Sequence, residues 1–349
     1  MNSRITRSTA CYSGKPWSPL DRPEMFRPGA LNILAVCGPT AVGKTKFAIE
    51  CARAFHGEIV SCDSMQLYKY MDIGSAKPTE EEQSRAKHWL VDLIDPKEDF
   101  SVARYQHLAK EAIRDIAGRG LLPVIAGGTG LYLNSLLYDM DFSRPPEDPS
   151  FRQRLYELAD REGNAAVYEL LRRKDPEAAG RIHPNNRKKV IRALEAAEAG
   201  GHIRDISREL RPVEEYGRIL IGLARNREEL YDRIDRRVDL LMEEGLVEEV
   251  RGLLEQGLTA DDISMKGIGY KEIISFLNGE CTKEDAVRLV KQNTRHLAKR
   301  QMTWLRRFPD MIWFNISEYD SDEDCIRAIL NRVGAILNRV GAILTGNHD

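Results

Sequence analysis

The chain has 349 residues, 42% hydrophobic and 30% charged, the composition of a soluble globular protein with room for one large domain and an insertion, or for two domains. Its formal net charge of -2 excludes a global attraction to nucleic acid, so any polyanion must be met by local basic surfaces. No apolar run nears the ~20 residues that span a bilayer, and six cysteines without a C-x-x-C pair or zinc spacing read as reduced thiols in a cytoplasmic protein.

Residues 1–30 carry Arg, Ser, Pro and acids but no apolar stretch, so they read as a disordered leader and not a secretory signal. Leu31–Cys37 is a short apolar run that stops at glycine, as a buried parallel strand does. A helix follows over Lys44–His56, with Phe47, Ala48 and Cys51 on one face. Glu58–Ser61 reads as a strand leading to Asp63, His88–Leu93 as a short third strand, Ser101–Gly118 as a helix, and Leu122–Ala126 as a strand entering Gly127-Gly128-Thr129-Gly130. Alternating strands and helices predict an α/β fold, a parallel sheet wrapped by helices.

After Pro145-Pro146 the strand signals vanish. Charged helical stretches (Phe151–Arg161, Asn164–Arg173, Arg187–Ala199) mark a helical insertion over 145–215 between a first core part, 31–144, and its completion, 216–318. Strand character returns at Arg218–Leu223, followed by helices over Glu228–Gln256, Tyr270–Asn278 and Thr282–Phe308, and a last strand at Met311–Asn315. The segment 319–349 repeats NRVGAIL at Asn331–Leu337 and Asn338–Leu344, too few copies for a coiled coil and read as a duplication lengthening a terminal helix.

Gly38-Pro39-Thr40-Ala41-Val42-Gly43-Lys44-Thr45 matches G-x-x-x-x-G-K-[ST] between a strand and a helix, the context a P-loop requires. Its glycines let successive N–H groups curl round a phosphate at a helix N-terminus. Lys44 offers a cation to the outer phosphate, and Thr45 a hydroxyl to Mg²⁺. Read alone the motif suggests ATP and a small-molecule kinase. Yet the strand Leu122–Ala126 ends in Gly-Gly-Thr where an NTP-driven motor would place an aspartate, which favours small-molecule group transfer. Asp63 ends the second strand on the same sheet edge as the P-loop and suits a general base or a Mg²⁺ ligand, with the capping of a helix as its plain alternative. Of Arg233, Arg236 and Arg237, one suits the role of second cation on a leaving diphosphate.

Two basic surfaces stand out. Arg288, Lys291, Arg295, Lys299, Met302 and Arg306 recur every three or four residues on a helix without acids after Asp285, as a phosphate backbone would require. Arg187-Lys188-Lys189 with Arg192, near Arg172-Arg173-Lys174, adds a cluster within the insertion.

GPTAVGKT (38–45), DSMQLYKYMDIGSAKP (63–78), HWLVDLIDP (88–96), GGTGLYLNSLL (127–137), RIHPNN (181–186), GIGYKE (267–272) and AKRQMTWLRR (298–307) together resemble the bacterial tRNA dimethylallyltransferases, from about Leu31 to Phe314. The resemblance implies a P-loop NTPase-like fold and transfer of a dimethylallyl group from dimethylallyl diphosphate to N6 of adenosine 37, in the anticodon stem-loop of tRNA. It implies Asp63 as the base, Thr40 to Thr45 of the P-loop as the holder of the donor diphosphate, Lys44 and Arg237 as cations on the leaving group, and Mg²⁺ between Thr45 and the diphosphate. Contacts to tRNA would map onto Asp63, Ser64, Met65 and Gln66, onto Thr129 and Arg152, and onto Lys188, Lys189, Val190, Ile191 and Arg192. They would continue with Lys266, Gly267, Ile268, Gly269, Tyr270 and Lys271, and with Lys299, Arg300, Gln301, Met302, Thr303, Trp304, Leu305 and Arg306. Asn186-Arg187-Lys188-Lys189 stands where the family commonly has Asp before an arginine pair, and Arg104 where it more often has Asp. A monomer without a membrane partner is expected. The related adenylate isopentenyltransferases, acting on free AMP, ADP or ATP, are the alternative; they need neither the helical insertion nor the basic helix.

Overall fold

The computed structural model describes residues 31–140, 149–201 and 211–345. The leader, Cys11 and the Pro145-Pro146 boundary lie outside the described residues. The described chain divides into two compact units, the first made of 31–99, 111–130 and 214–345, the second of 100–110, 131–140, 149–201 and 211–213.

The first unit is a six-stranded parallel sheet in the order β3-β2-β4-β1-β5-β6. Its strands are β1 (Leu31–Cys37), β2 (Gly57–Cys62), β3 (His88–Trp89), β4 (Leu122–Gly127), β5 (Tyr216–Ala224) and β6 (Met311–Asn315). β1 runs IleLeuAlaValCys over 33–37 without a polar break and every one of these side chains is buried, which is how a strand covered on both faces reads. Helix α1 (Lys44–Ala54) packs on β1, β2 and β4 through Phe47, Ala48 and Cys51. That face merges with Ile219 and Ile221 of β5, Leu230 and Ile234 of α9 (Arg227–Glu243), and Cys325, Ile329 and Val333 of α13 (Asp322–Thr345) into one core.

Two expected elements change. The strand expected over His88–Leu93 stops at Trp89, because Leu90 (φ 62°) and Asp92 (φ 53°) turn into the left-handed region. The residues beyond instead bond to the 66–69 loop, through Asp92 N to Gln66 O (3.1 Å) and Leu93 N to Leu67 O (2.8 Å). The helix expected over Glu228–Gln256 is two, α9 and α10 (Leu246–Glu255), broken at Gly245 with φ 103°. Helix α13 runs through both NRVGAIL copies; Val333 and Ile336 of the first are buried, and the side chains of the second from 339 onward lie outside the described residues.

The second unit holds α5 (Pro149–Glu162), α6 (Asn164–Lys174), α7 (Pro176–Arg181) and α8 (Arg187–Glu198), closed round Leu155, Val167, Leu171, Ala178, Ile191 and Leu194. Of the insertion expected over 145–215, the described residues 149–201 and 211–213 fall in this unit and 214–215 do not; the unit also takes in 100–110 and 131–140. Tyr105 and Tyr132 stack there at 3.9 Å between centroids. No helix of the described residues is long and apolar enough to cross a membrane.

Candidate active site

The register of the sheet sets the site. Cys37, Gly127 and Cys62 stand level across β1, β4 and β2, so Gly38, Gly128 and Asp63 leave the sheet side by side at its carboxyl edge. Asp63 and the P-loop are thus separated by two strand spacings, about 10 Å, with the Gly-Gly-Thr turn between. Glycine is required at 127 and 128. A Cβ on Gly127 would overlap the Cys62 backbone, and one on Gly128 would lie 2.8 Å from Gly38 O and 2.6 Å from Gln301 Nε2.

The cradle is built to present donors. Gly43 precedes α1 with φ 107°, no side chain caps the helix, and its first turn holds no acid, so the terminal amides are left for an anion. The carbonyls opposite them are held by arginines: Arg225 Nε donates to Val42 O (3.1 Å) and Arg233 Nε to Ala41 O (3.0 Å). Arg225 is fixed in turn by Glu229 (2.5 Å) and Asp322 (2.7 Å). Tying down the carbonyls fixes the same peptide planes whose N–H groups line the loop. Gln301, on α12 (Lys283–Leu305), accepts from Thr40 N at 2.9 Å.

Lys44 Nζ donates to Pro39 O (2.9 Å). Burial pulls its ammonium down to about 8; the Asp63 carboxylate opposes that shift and the Arg237 guanidinium adds to it. Burial also lowers Arg237, with the Asp63, Glu82 and Glu244 carboxylates pulling the other way. Lys44, Arg237 and Asp63 therefore share one electrostatic neighbourhood. Arg237 has no hydrogen-bond partner among the described residues and is available to a ligand, whereas Arg236 is exposed and bonds its own helix at Asp232 O. Asp63 Oδ1 accepts from Met65 N (2.9 Å), a local turn and not the helix cap weighed above. Its Oδ2 has no donor among the described residues. Thr129 Oγ1 accepts from Ser64 N at 3.3 Å, and Gln66 is held by Ser61 (3.0 Å) and Ala76 O (3.2 Å).

The basic helix divides in two. Arg288 pairs with Asp285 (2.9 Å), Lys291 with Asp239 (2.6 Å) and Arg295 with Asp235 (2.5 Å), so the acids that the helix lacks come mostly from α9. That corrects the uniform basic stripe. Lys299, Arg300 and Arg306 are exposed and make no ion pair among the described residues. Thr303 is exposed, Met302 and Trp304 are half-buried, and Leu305 is buried. Before α11 (Tyr270–Leu277), Lys266 is exposed, Gly267 and Ile268 are half-buried and Gly269 is buried; in its first turn Tyr270 is buried and Lys271 exposed. In the second unit Lys188, Lys189 and Arg192 are exposed, but Val190 and Ile191 fill the core and Arg152 is clamped by Glu195 at 2.5 and 2.9 Å. The side chains of Val190, Ile191 and Leu305 therefore serve packing, and that of Tyr270 packs while its hydroxyl donates to Glu249 (2.8 Å). Among the described residues no three His, Cys, Asp or Glu side chains converge as a metal cage.

Comparison with known proteins identifies similar chains and folds. Residues 66–308 match the family model described as IPP transferase. The tRNA dimethylallyltransferases of Alkaliphilus oremlandii and Acetivibrio thermocellus are 50% and 49% identical over 300 and 303 residues, covering 86% and 85% of this chain and 96% of each relative. The crystal structure of the tRNA isopentenylpyrophosphate transferase from Bacillus halodurans matches with a TM-score of 0.69 at 40% identity, covering 90% of this chain and 99% of that one. A eukaryotic dimethylallyltransferase described as acting on tRNA matches with a TM-score of 0.71 at 27% identity, over 84% of this chain and 75% of that one.

Proposed function

The chain belongs to the IPP transferase family, and we propose that it transfers a dimethylallyl group from dimethylallyl diphosphate to N6 of adenosine 37 in tRNA, releasing diphosphate. The observation that carries the chemistry is the pairing, on one sheet edge, of an anion cradle with a carboxylate about two strand spacings away that keeps one oxygen free. An adenine amine is a weak nucleophile, because its lone pair is delocalised into the ring. Transfer therefore needs a base at its proton and a stabilised leaving group.

In the proposed step, the N6 lone pair forms the bond to the allylic carbon as the carbon–oxygen bond breaks and its electron pair leaves on the diphosphate. Asp63 takes the amine proton through Oδ2. The P-loop amides, Lys44 and Arg237 neutralise the leaving group; what supports this is their shared electrostatic neighbourhood and the carbonyl-side anchoring by Arg225 and Arg233. Thr45 is the residue that would hold Mg²⁺, through its hydroxyl and together with the bound diphosphate, since this small hard cation takes few protein ligands beside substrate phosphates. The ion would supply further neutralisation of the departing charge. The adenine must leave the loop stack to reach Asp63. Lys299 and Arg300 on α12 and Arg306 just after it, with Lys188, Lys189 and Arg192 on α8, are exposed cations suited to meet tRNA phosphates.

The test is mass spectrometry of tRNA nucleosides after incubation with dimethylallyl diphosphate, with AMP offered in parallel. N6-dimethylallyladenosine in tRNA is expected; label in AMP alone would overturn the reading in favour of an adenylate isopentenyltransferase.

A further inference from the structure

The loop from Asp63 to Pro78 contains no helix or ladder, only a single bridge between Tyr68 and Ile94. Its backbone donors must find acceptors elsewhere. Glu249, on α10, supplies them. Oε2 accepts from Asp72 N (2.8 Å) and Ile73 N (2.7 Å), and Oε1 from Gly74 N (3.0 Å) and the Tyr270 hydroxyl (2.8 Å). Three successive amides converging on one carboxylate form an anion nest, filled here by a side chain of the same protein. Gly74 lies flat on the buried Tyr270 ring, where an added Cβ would come within 2.5 Å of Cζ.

The pinned turn connects back to the base. Ile73 O accepts from Ala76 N (2.9 Å), Ala76 O from Gln66 Nε2 (3.2 Å), and Gln66 Oε1 from the Ser61 hydroxyl (3.0 Å). Asp63 stands between Ser61 and Gln66. Met65 of the same stretch lies against Gly267, whose Cβ would meet Met65 Cε at 2.6 Å.

We infer that Glu249 is a positioning residue: by clamping the amides of 72–74 it holds the loop that aims Asp63 across the diphosphate cradle. The inference rests on the reading of Asp63 as the base. Glu249 works through the loop and not on the reacting atoms. A carboxylate serves all three amides, whereas a glutamine there keeps one acceptor oxygen and turns its NH2 on at least one backbone N–H.

The experiment uses the full chain with tRNA and dimethylallyl diphosphate. Glu249→Gln is compared with the wild type for kcat, for KM of dimethylallyl diphosphate and for Tm. A misaimed base lowers kcat by about tenfold to a hundredfold while KM stays within about twofold, since the cradle stands on other strands. Tyr270→Phe keeps the ring on Gly74 and removes one donor, so it gives a smaller fall with the same split, and it decides the matter if Glu249→Gln fails to fold. An unchanged kcat, or a kcat loss matched by a rise in KM and a fall in Tm, overturns the inference. A wild type that forms no N6-dimethylallyladenosine defeats the reading of function instead.

Discussion

Raising the pH from 7 to 9 should weaken the binding of dimethylallyl diphosphate through Lys44. Burial sets that ammonium at about 8 in the free protein. Its protonated fraction then falls from about nine-tenths at pH 7 to about one-tenth at pH 9. If only the charged form receives the diphosphate, apparent affinity drops with that fraction, about tenfold or ~1.4 kcal/mol. A terminal phosphate loses its second proton near pH ~6, so the ligand's own charge changes little in this window. Calorimetric titration at several pH values measures the slope, with Lys44→Met as control. The variant should bind more weakly at pH 7 and show a flat profile. A flat wild-type profile, or the same slope in Lys44→Met, refutes the reasoning. The stability consequence has the opposite sign from an ordinary ion pair. The folded pKa lies below the unfolded 10.5, so the unfolded chain binds more protons between about 8 and 10.5 and the unliganded protein gains stability as pH rises through that window. Below about 8 the whole penalty is present, and Lys44→Met should melt higher than the wild type at pH 7.

Asp63→Ala should leave tRNA binding intact while single-turnover modification falls by about 10² to 10⁴, the range of a lost general base; retained turnover would remove Asp63 from that role. Reversing Lys299 and Arg300 to Glu should flatten the salt dependence of tRNA binding by about two units of slope. Reversing Arg288, Lys291 and Arg295 should leave that slope in place and instead lower Tm, because their charges are already spent on Asp285, Asp239 and Asp235. Gly130→Ala would drive a Cβ into the Trp304 ring, and urea unfolding should report a loss of about 1–3 kcal/mol.

The sequence alone determined the parallel sheet, the P-loop and the placement of Asp63 on its edge, because each rests on local pattern: an apolar run, a glycine turn, a strand end. Gly245 shows the limit of local pattern. The periodicity of 228–256 carries through it, and only the backbone reveals that the helix breaks there. Tertiary structure decided what the charges do. Arg288, Lys291 and Arg295 look no different from Lys299, Arg300 and Arg306 along the chain, yet the partners of Lys291 and Arg295 lie over fifty residues away on α9. Arg225 carries no sequence signal, and Arg233 reads only as one of three candidates for a second cation. Both hold carbonyls of a loop more than 180 residues earlier. Glu249 reads as one more acid on an amphipathic helix until the fold brings it against the amides of 72–74. A hydrogen bond depends on where two atoms meet, and between residues far apart in the chain that is settled by packing.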